Sequence, residues 1–273
     1  MAVTIEDIKK LRHLTSAGLT DCKNALIESN GDMQAAVEIL RKKGQAVAAK
    51  REDREASEGC VLSKHEGDFA AVVALKCETD FVAKNAGFVE LTQTILDAAV
   101  ANRVQNLEDL KALAIDGRTV ADLVVEETGK TGEKCELGVY ECLTAPGVTS
   151  YNHFGNKLAT IVAFNAAADA NVLRDVAMQA AAMNPVAATI AQVPENIRQQ
   201  ELEIGREKAR EEGKPEAILD RIAEGRLNKF YKESVLVEQE FVKDPTMTVA
   251  KYLAKAQAGL TVVDFKRVNL NED

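Results

Sequence analysis

The chain has 273 residues, enough for about two domains of ordinary size or one core with smaller appendages. Its hydrophobic share is 46%, with no Trp and 4% aromatic residues, so Ala, Val, Leu and Ile must fill the cores. The net charge is −9, and the residues after position 56 hold 24 Lys/Arg against 34 Asp/Glu, which speaks against broad binding to a phosphate backbone.

The first 56 residues are nearly balanced, and their basic cluster Arg41-Lys42-Lys43 with Lys50-Arg51 reads as a solvated helix face. Direct nucleic-acid binding is therefore not expected. The stretch Met1-Ala2-Val3-Thr4-Ile5-Glu6-Asp7 lacks a basic n-region and an apolar run, and no later run approaches the ~18 apolar residues of a membrane span. Five separate cysteines, at positions 22, 60, 77, 135 and 142, form no C-x-x-C pair and read as reduced thiols. Together these features predict a cytoplasmic protein without a membrane partner.

In chain order, Thr4 and Asp7 predict an N-cap before a helix with Ile5, Ile8 and Leu11 facing inward. Ser16-Ala17-Gly18 breaks the chain. Thr20 is expected to cap a second helix carrying Cys22, Ala25 and Leu26, which stops at Asn30-Gly31. Asp32 is expected to cap a third, with Ala36, Val37 and Leu40, stopping at Gly44. Residues 1–45 thus form a three-helix module, followed by a polar tether at 46–58.

From Gly59 the period changes. Cys60–His65 and Phe69–Cys77 predict an antiparallel hairpin around Glu66-Gly67-Asp68, with Ala71–Leu75 as a buried strand. The segment Thr79-Asp80-Phe81-Val82 follows directly, and then a helix with Phe88, Leu91, Ile95 and Ala99 on one face. Residues 107–127 read as one or two short helices, the second with Val120, Leu123 and Val124 inward, and Gly129–Gly132 closes this subdomain of 59–133.

A second strand group begins with Leu137–Leu143 and Val148–His153, continues with Lys157–Phe164, and leads into a helix over Asp169–Met183. It echoes the first group and predicts two similar α/β subdomains, the second spanning 134–273. At about 194–233 two charged helices flank Gly213-Lys214-Pro215, with Ile197 and Ile204 facing Ile218, Ile222 and Leu227 in a narrow seam of the coiled-coil type. A last helix is expected from Thr246 to Leu253 and a last strand from Thr261 to Val268.

The predicted fold class is thus α+β: a three-helix module, two similar subdomains with antiparallel sheets, and a projecting helical hairpin. The histidines, His13, His65 and His153, have no metal-ligand spacing. There is no G-x-x-x-x-G-K-[ST] or G-x-G-x-x-G loop, so no cofactor or bound nucleotide is expected. A Cys77 nucleophile with His65 or His153 is conceivable, but a cysteine that ends a buried strand ordinarily behaves as a small hydrophobe.

Thr79-Asp80-Phe81-Val82 places an aromatic and a carboxylate on a tight connection. Two readings stay open: Asp80 caps the next helix and Phe81 packs as a hydrophobic staple, or the turn presents both to a partner. The longer stretch Thr79-Asp80-Phe81-Val82-Ala83-Lys84-Asn85 resembles the signature of the bacterial translation elongation factor Ts family. So, in the family's order, do the stretch from Leu11-Arg12 to Asp21-Cys22-Lys23-Asn24-Ala25-Leu26, Gly31-Asp32, Leu40-Arg41-Lys42-Lys43-Gly44, His153-Phe154-Gly155, Glu212-Gly213-Lys214-Pro215, Glu224–Phe230 and Phe241-Val242-Lys243-Asp244-Pro245.

The resemblance implies a nucleotide exchange factor, not an enzyme, that binds elongation factor Tu carrying GDP and promotes entry of GTP. It gives Thr79, Asp80, Phe81 and Val82 the role of disturbing the partner's magnesium and phosphate site. It gives Arg12, Leu19, Thr20, His153, Phe154 and Gly155 further contacts, and likens the module to ubiquitin-associated (UBA) domains. Ser16, where the family usually has Gly, and Leu19-Thr20, where it has a more apolar pair, depart from the pattern. The competing reading is an interaction scaffold built from the module and the paired helices.

Overall fold

The computed structural model describes residues 3–15 and 17–272. Helices α1 (Ile5–Thr15), α2 (Leu19–Glu28) and α3 (Met33–Lys50) open the chain. Thr4 and Asp7 cap α1 reciprocally, each backbone N–H donating to the other's side chain at 3.1 Å. Asn30 and Gly31, at φ 53° and 85°, turn the chain after α2, and the Asp32 carboxylate accepts from the amides of Gln34 and Ala35 to begin α3. Ile8, Leu11, Cys22, Ala25, Leu26 and Ala36 form the core of the three helices.

Several local expectations need correction. Ile5 is 73% exposed and Val37 also faces solvent. Thr20 does not cap α2: Gly18 is the N-cap residue, without a side-chain bond, and Thr20 sits in the first turn. The expected break between the helices holds, Ala17 and Gly18 lying between α1 and α2, while Ser16, like Met1 and Ala2, lies outside the described residues. Gly44 does not stop α3, which continues to Lys50 through the start of the expected tether. There α3 crosses α7 (Val120–Thr131), where a Cβ on Gly129 would lie 2.7 Å from the Cα of Gly44. The glycine serves a backbone contact between helices, not a C-cap. Arg41 fastens the crossing by donating at 3.0 Å to Asp122, whose other oxygen closes the capping box of α7 with Thr119.

Strands β1 (Glu58–Glu66) and β2 (Phe69–Cys77) form the expected hairpin, turning at Gly67 with φ 59°. They are followed by α4 (Asp80–Ala83), α5 (Ala86–Ala101), α6 (Leu107–Ala112), a small hairpin of β3 (Ala114–Ile115) and β4 (Arg118–Thr119), α7, and β5 (Glu136–Thr144). The sheet order is β1-β2-β5. Leu137–Leu143 therefore joins β2 and not the strand group after it. The reason lies in β2, which is buried along almost its whole length and needs a partner on both edges. On α5, Phe88, Ile95 and Ala99 are buried as expected, together with Thr92 and Leu96.

The chain divides into two units: residues 1–62, 73–140 and 270–273 form the first, and 63–72 with 141–269 the second. The second unit holds β6 (Gly147–Asn152), β7 (Leu158–Phe164), α8 (Ala170–Met183), α9 (Glu195–Glu211), α10 (Leu219–Ser234), β8 (Glu240–Phe241), β9 (Asp244–Thr248), α11 (Val249–Ala256) and β10 (Val262–Asn269). Its three-stranded sheet, β10-β7-β6, is antiparallel throughout. Asp169 caps α8, and Asn184, left-handed at φ 43°, ends it. Val162, Phe164, Val176, Leu236 and Leu253 are central to this unit's core. Thr246 falls in β9, and the last helix begins only after Thr248.

Helices α9 and α10 pair as expected, but along a different seam. Gly205 and Ala209 on α9 and Leu219, Ala223 and Leu227 on α10 are buried. Ile197, Ile204 and Ile222 are half-buried, and Ile218 is exposed. A Cβ on Gly205 would meet Ala223 Cα at 3.0 Å, so small residues bring these helices closer than an isoleucine seam would allow. The architecture is thus mixed helix and sheet with antiparallel sheets. No helix among the described residues is long and apolar enough to cross a membrane.

The glycines make a paired prediction. Gly→Ala inside a helix ordinarily stabilises by about 0.5–1 kcal/mol. Gly225 on α10 has open space where a methyl group would stand, so Gly225→Ala should raise stability by that amount, read from the urea midpoint. Gly129→Ala should lower it, by about 1–3 kcal/mol, because its methyl meets backbone. Equal shifts of one sign would refute the close crossing.

Candidate functional site

The residues after β2 are pinned in pairs. Glu78 accepts two hydrogen bonds from Arg51 Nη1, at 2.8 and 3.0 Å, and one from Lys134 N–H at 2.6 Å. The Lys134 amide and then Arg51 hold its carboxyl below the usual carboxylate range. Next, Thr79 donates its backbone N–H to Glu133 Oε2 at 3.0 Å and its hydroxyl to Oε1 at 2.7 Å. The same hydroxyl accepts from Val82 N–H at 3.4 Å, making Thr79 the N-cap of α4.

One helical turn later Asn85 caps α5, accepting from Gly87 N–H at 2.9 Å. Residues 79–85 are thus held at both ends. Between them Ala83 is buried, Val82 is half-buried and Phe81 is 84% exposed. Asp80 pairs with Lys84 at 2.6 Å, which raises the lysine's pKa. The cap belongs to Thr79 and not Asp80, and Phe81 packs under nothing, so the staple reading fails on both counts. Beside Phe81 lies an open cleft of about 780 Å³, lined among others by Leu14, Val82, Leu91, Ile115 and Lys130. Burying the ring that stands in water on this braced turn would be worth ~2–3 kcal/mol.

Arg12 lies in the last turn of α1 and Leu19 and Thr20 in the first turn of α2, and all three are exposed. His153-Phe154-Gly155 forms the turn between β6 and β7 in the second unit. Gly155, at φ 89°, and Asn156, at φ 55°, reverse the chain. His153 N–H donates to Leu158 O at 2.9 Å, its ring Nδ1 meets Tyr151 Oη at 3.1 Å, and Phe154 is 97% exposed. Both exposed phenylalanines therefore stand on turns that the backbone holds.

The nucleophile reading finds no support. Burial pushes the Cys77 thiol up to about 12, and its Sγ donates to Thr79 O at 3.2 Å. A nucleophilic cysteine requires the opposite shift. Ring Nδ1 of His65 pairs with Ser150 and that of His153 with Tyr151. Among the described residues no group of three or more His, Cys, Asp or Glu is placed to hold a metal ion. What the sequence did not reveal is the bracing by Glu133, Lys134 and Arg51, because these residues lie far from Thr79 along the chain and carry no motif of their own.

A family model described as elongation factor TS matches residues 78–272. The chain is 60% identical over 274 residues, covering 100% of both, to "Elongation factor Ts" of Porphyromonas gingivalis. It is 53% identical to the protein of that name from Azobacteroides pseudotrichonymphae, covering 99% of each. With that from Phocaeicola vulgatus it shares 44% identity over the full length of both.

The geometry of the turn sets its stability. Phe81→Ala should leave the stability almost unchanged, within about 0.5 kcal/mol by thermal melts, as for a surface change. Thr79→Ala should cost about 1–2 kcal/mol through loss of the cap and of the Glu133 bond, and Asp80→Ala less than that. A Phe81→Ala protein as destabilised as a core Phe→Ala variant would refute the exposed placement.

Proposed function

The chain belongs to the elongation factor Ts family, and from that membership we propose that it exchanges the nucleotide of elongation factor Tu by binding and distortion. Membership carries the coarser role, a nucleotide exchange factor in translation elongation that performs no covalent chemistry. The finer reading is that the chain binds elongation factor Tu with GDP, loosens its magnesium and phosphate site, and leaves the site open for GTP. The observation that carries it is Phe81, exposed on a turn braced by Glu133 and Asn85.

A GDP site depends on backbone amides and a correctly placed cation. A wedge that displaces the elements bearing them weakens phosphate binding without resembling any ligand. Coupling is reciprocal, so returning nucleotide expels the factor in turn. A ~10⁴-fold acceleration of release requires ~5.5 kcal/mol of differential binding. One aromatic supplies ~3 kcal/mol at most, so Thr79, Asp80, Phe81 and Val82 need help. We assign that help to Arg12, Leu19 and Thr20 on the N-terminal module and to His153, Phe154 and Gly155 on the second subdomain.

In this scheme the three-helix module of 1–45 is UBA-like and grips the GTPase, and 46–58 joins it to the subdomain of 59–133 that carries the wedge. The subdomain of 134–273 adds the second contact, and its helical hairpin at about 194–233 is a coiled-coil-like arm. The protein acts in the cytoplasm, needs no cofactor, and touches neither nucleic acid nor membrane.

Release of labelled GDP from elongation factor Tu, with and without this protein, tests the reading directly. Phe81→Ala should weaken binding by at most ~3 kcal/mol while stimulated release falls further than binding does. Wild-type exchange per bound molecule by Phe81→Ala would remove the wedge. Separately, Arg12→Ala and Leu19→Ala, both on exposed helix surface, should weaken association at unchanged stability, read by calorimetry and thermal melts. Unaltered affinity in both would remove the N-terminal anchor.

A further inference from the structure

In the second unit, β6 and the stretch of β1 from Ser63 onward belong to different sheets, and each is an edge strand. Edge strands leave backbone N–H and C=O groups without ladder partners. At Ser63 these groups are served by one side chain. Ser63 N–H donates to Asn152 Oδ1 at 2.6 Å, and Asn152 Nδ2 donates to Ser63 O at 2.9 Å. The Ser63 hydroxyl adds contacts to Asn152 Oδ1 at 2.8 Å and to Tyr151 O at 3.2 Å. Ser150 Oγ lies 2.8 Å from His65 Nδ1, so the seam continues through a side-chain contact.

The Asn152 amide stands in for a peptide group: it offers one acceptor and one donor to both backbone groups of a single residue. Among side chains only Asn and Gln carry a carboxamide, which holds the donor and the acceptor in the arrangement of a peptide group. Ser63 is 5% exposed, so losing this partner would strand its buried N–H and C=O. Asn152 also ends β6, one residue before His153. Phe154 makes no core contact that would orient it, being 97% exposed, so the direction of the turn is set by its root.

We propose that Asn152 is a positioning residue: by clasping Ser63 it fixes the root of the His153-Phe154-Gly155 turn and so presents Phe154 to the partner GTPase. The proposal rests on the reading that this turn contacts the GTPase. Its test is a double-mutant cycle in the full chain, with Asn152→Ala, Phe154→Ala and the double variant. Binding to nucleotide-free elongation factor Tu and amide hydrogen exchange at Ser63 in the free protein are measured together.

Asn152→Ala should speed Ser63 exchange by about tenfold or more and weaken binding several-fold, and the double variant should bind within about twofold of Phe154→Ala alone. A merely structural asparagine would give losses that multiply, and that result, or unchanged exchange at Ser63, overturns the proposal while the turn keeps its contact role. Normal binding by Phe154→Ala would instead fell the contact reading, and the proposal with it. Should Asn152→Ala fail to fold, Asn152→Asp carries the same cycle, since it keeps the acceptor for Ser63 N–H while turning a charged oxygen instead of a donor toward the Ser63 carbonyl.

Discussion

Thr79 gives both its backbone N–H and its hydroxyl to the carboxylate of Glu133, and the exposed turn depends on that grip. An aromatic in water gains nothing from its own burial, so the direction of Phe81 must be enforced by its neighbours. The connection between α7 and β5 does this twice. Glu133 holds Thr79, and the Lys134 amide holds Glu78, the residue before it. Two adjacent residues on one segment thus meet two adjacent residues on another, and the turn after β2 starts from a fixed point. A partner that buries Phe81 meets a braced element, and less of its binding energy is lost to ordering a loop.

The same connection reaches back toward the N-terminus. Lys134 Nζ donates to the carbonyls of Glu52 and Arg54 at 3.0 and 2.9 Å, and Arg51 shares Glu78 with the Lys134 amide. Further along α3, Gly44 meets Gly129, and Arg41 shares Asp122 with the capping Thr119. The first turn of α7 and the residues just past its end therefore each serve two tasks. The end of the N-terminal module and the base of the Phe81 turn are fastened to one helix and the segment after it. In the proposed mechanism this matters because a wedge and an anchor deliver distortion only if they are connected stiffly enough for force on one to be resisted by the other.

In the second unit the same problem is solved with different chemistry. Phe154 rises from a two-strand turn reversed at Gly155 and Asn156, and its root is tied through Asn152 to an edge strand that belongs to another sheet. A side-chain amide supplies the hydrogen bonds that a ladder would otherwise make, while the edge stays closed to further strands. The two exposed phenylalanines share one physical requirement, an outward side chain on an immobilised backbone. A carboxylate meets it in one case and a carboxamide in the other.

Some of the local chemistry was legible in the sequence, although Thr20 does not cap α2 and the cap offered to Asp80 belongs to Thr79. The caps at Thr4 and Asp32, the reversal at Asn30-Gly31 and the hairpin at Gly67 each follow from side chains that satisfy or redirect nearby backbone. The ordered motifs from Leu11 to Pro245 also carried the family. Three decisions came only from tertiary structure. Gly44 has the local signature of a helix stop and Gly205 has none, because a glycine that lets two backbones touch looks along the chain like any other glycine. The sheet that takes Leu137–Leu143 was equally hidden, because alternation shows that a strand has a buried face but not which edge it joins. Whether Phe81 lay under the helix or in water also could not be read locally, since a staple and a wedge share the same spacing; the contacts of Thr79 with Glu133, 54 residues away, decide it.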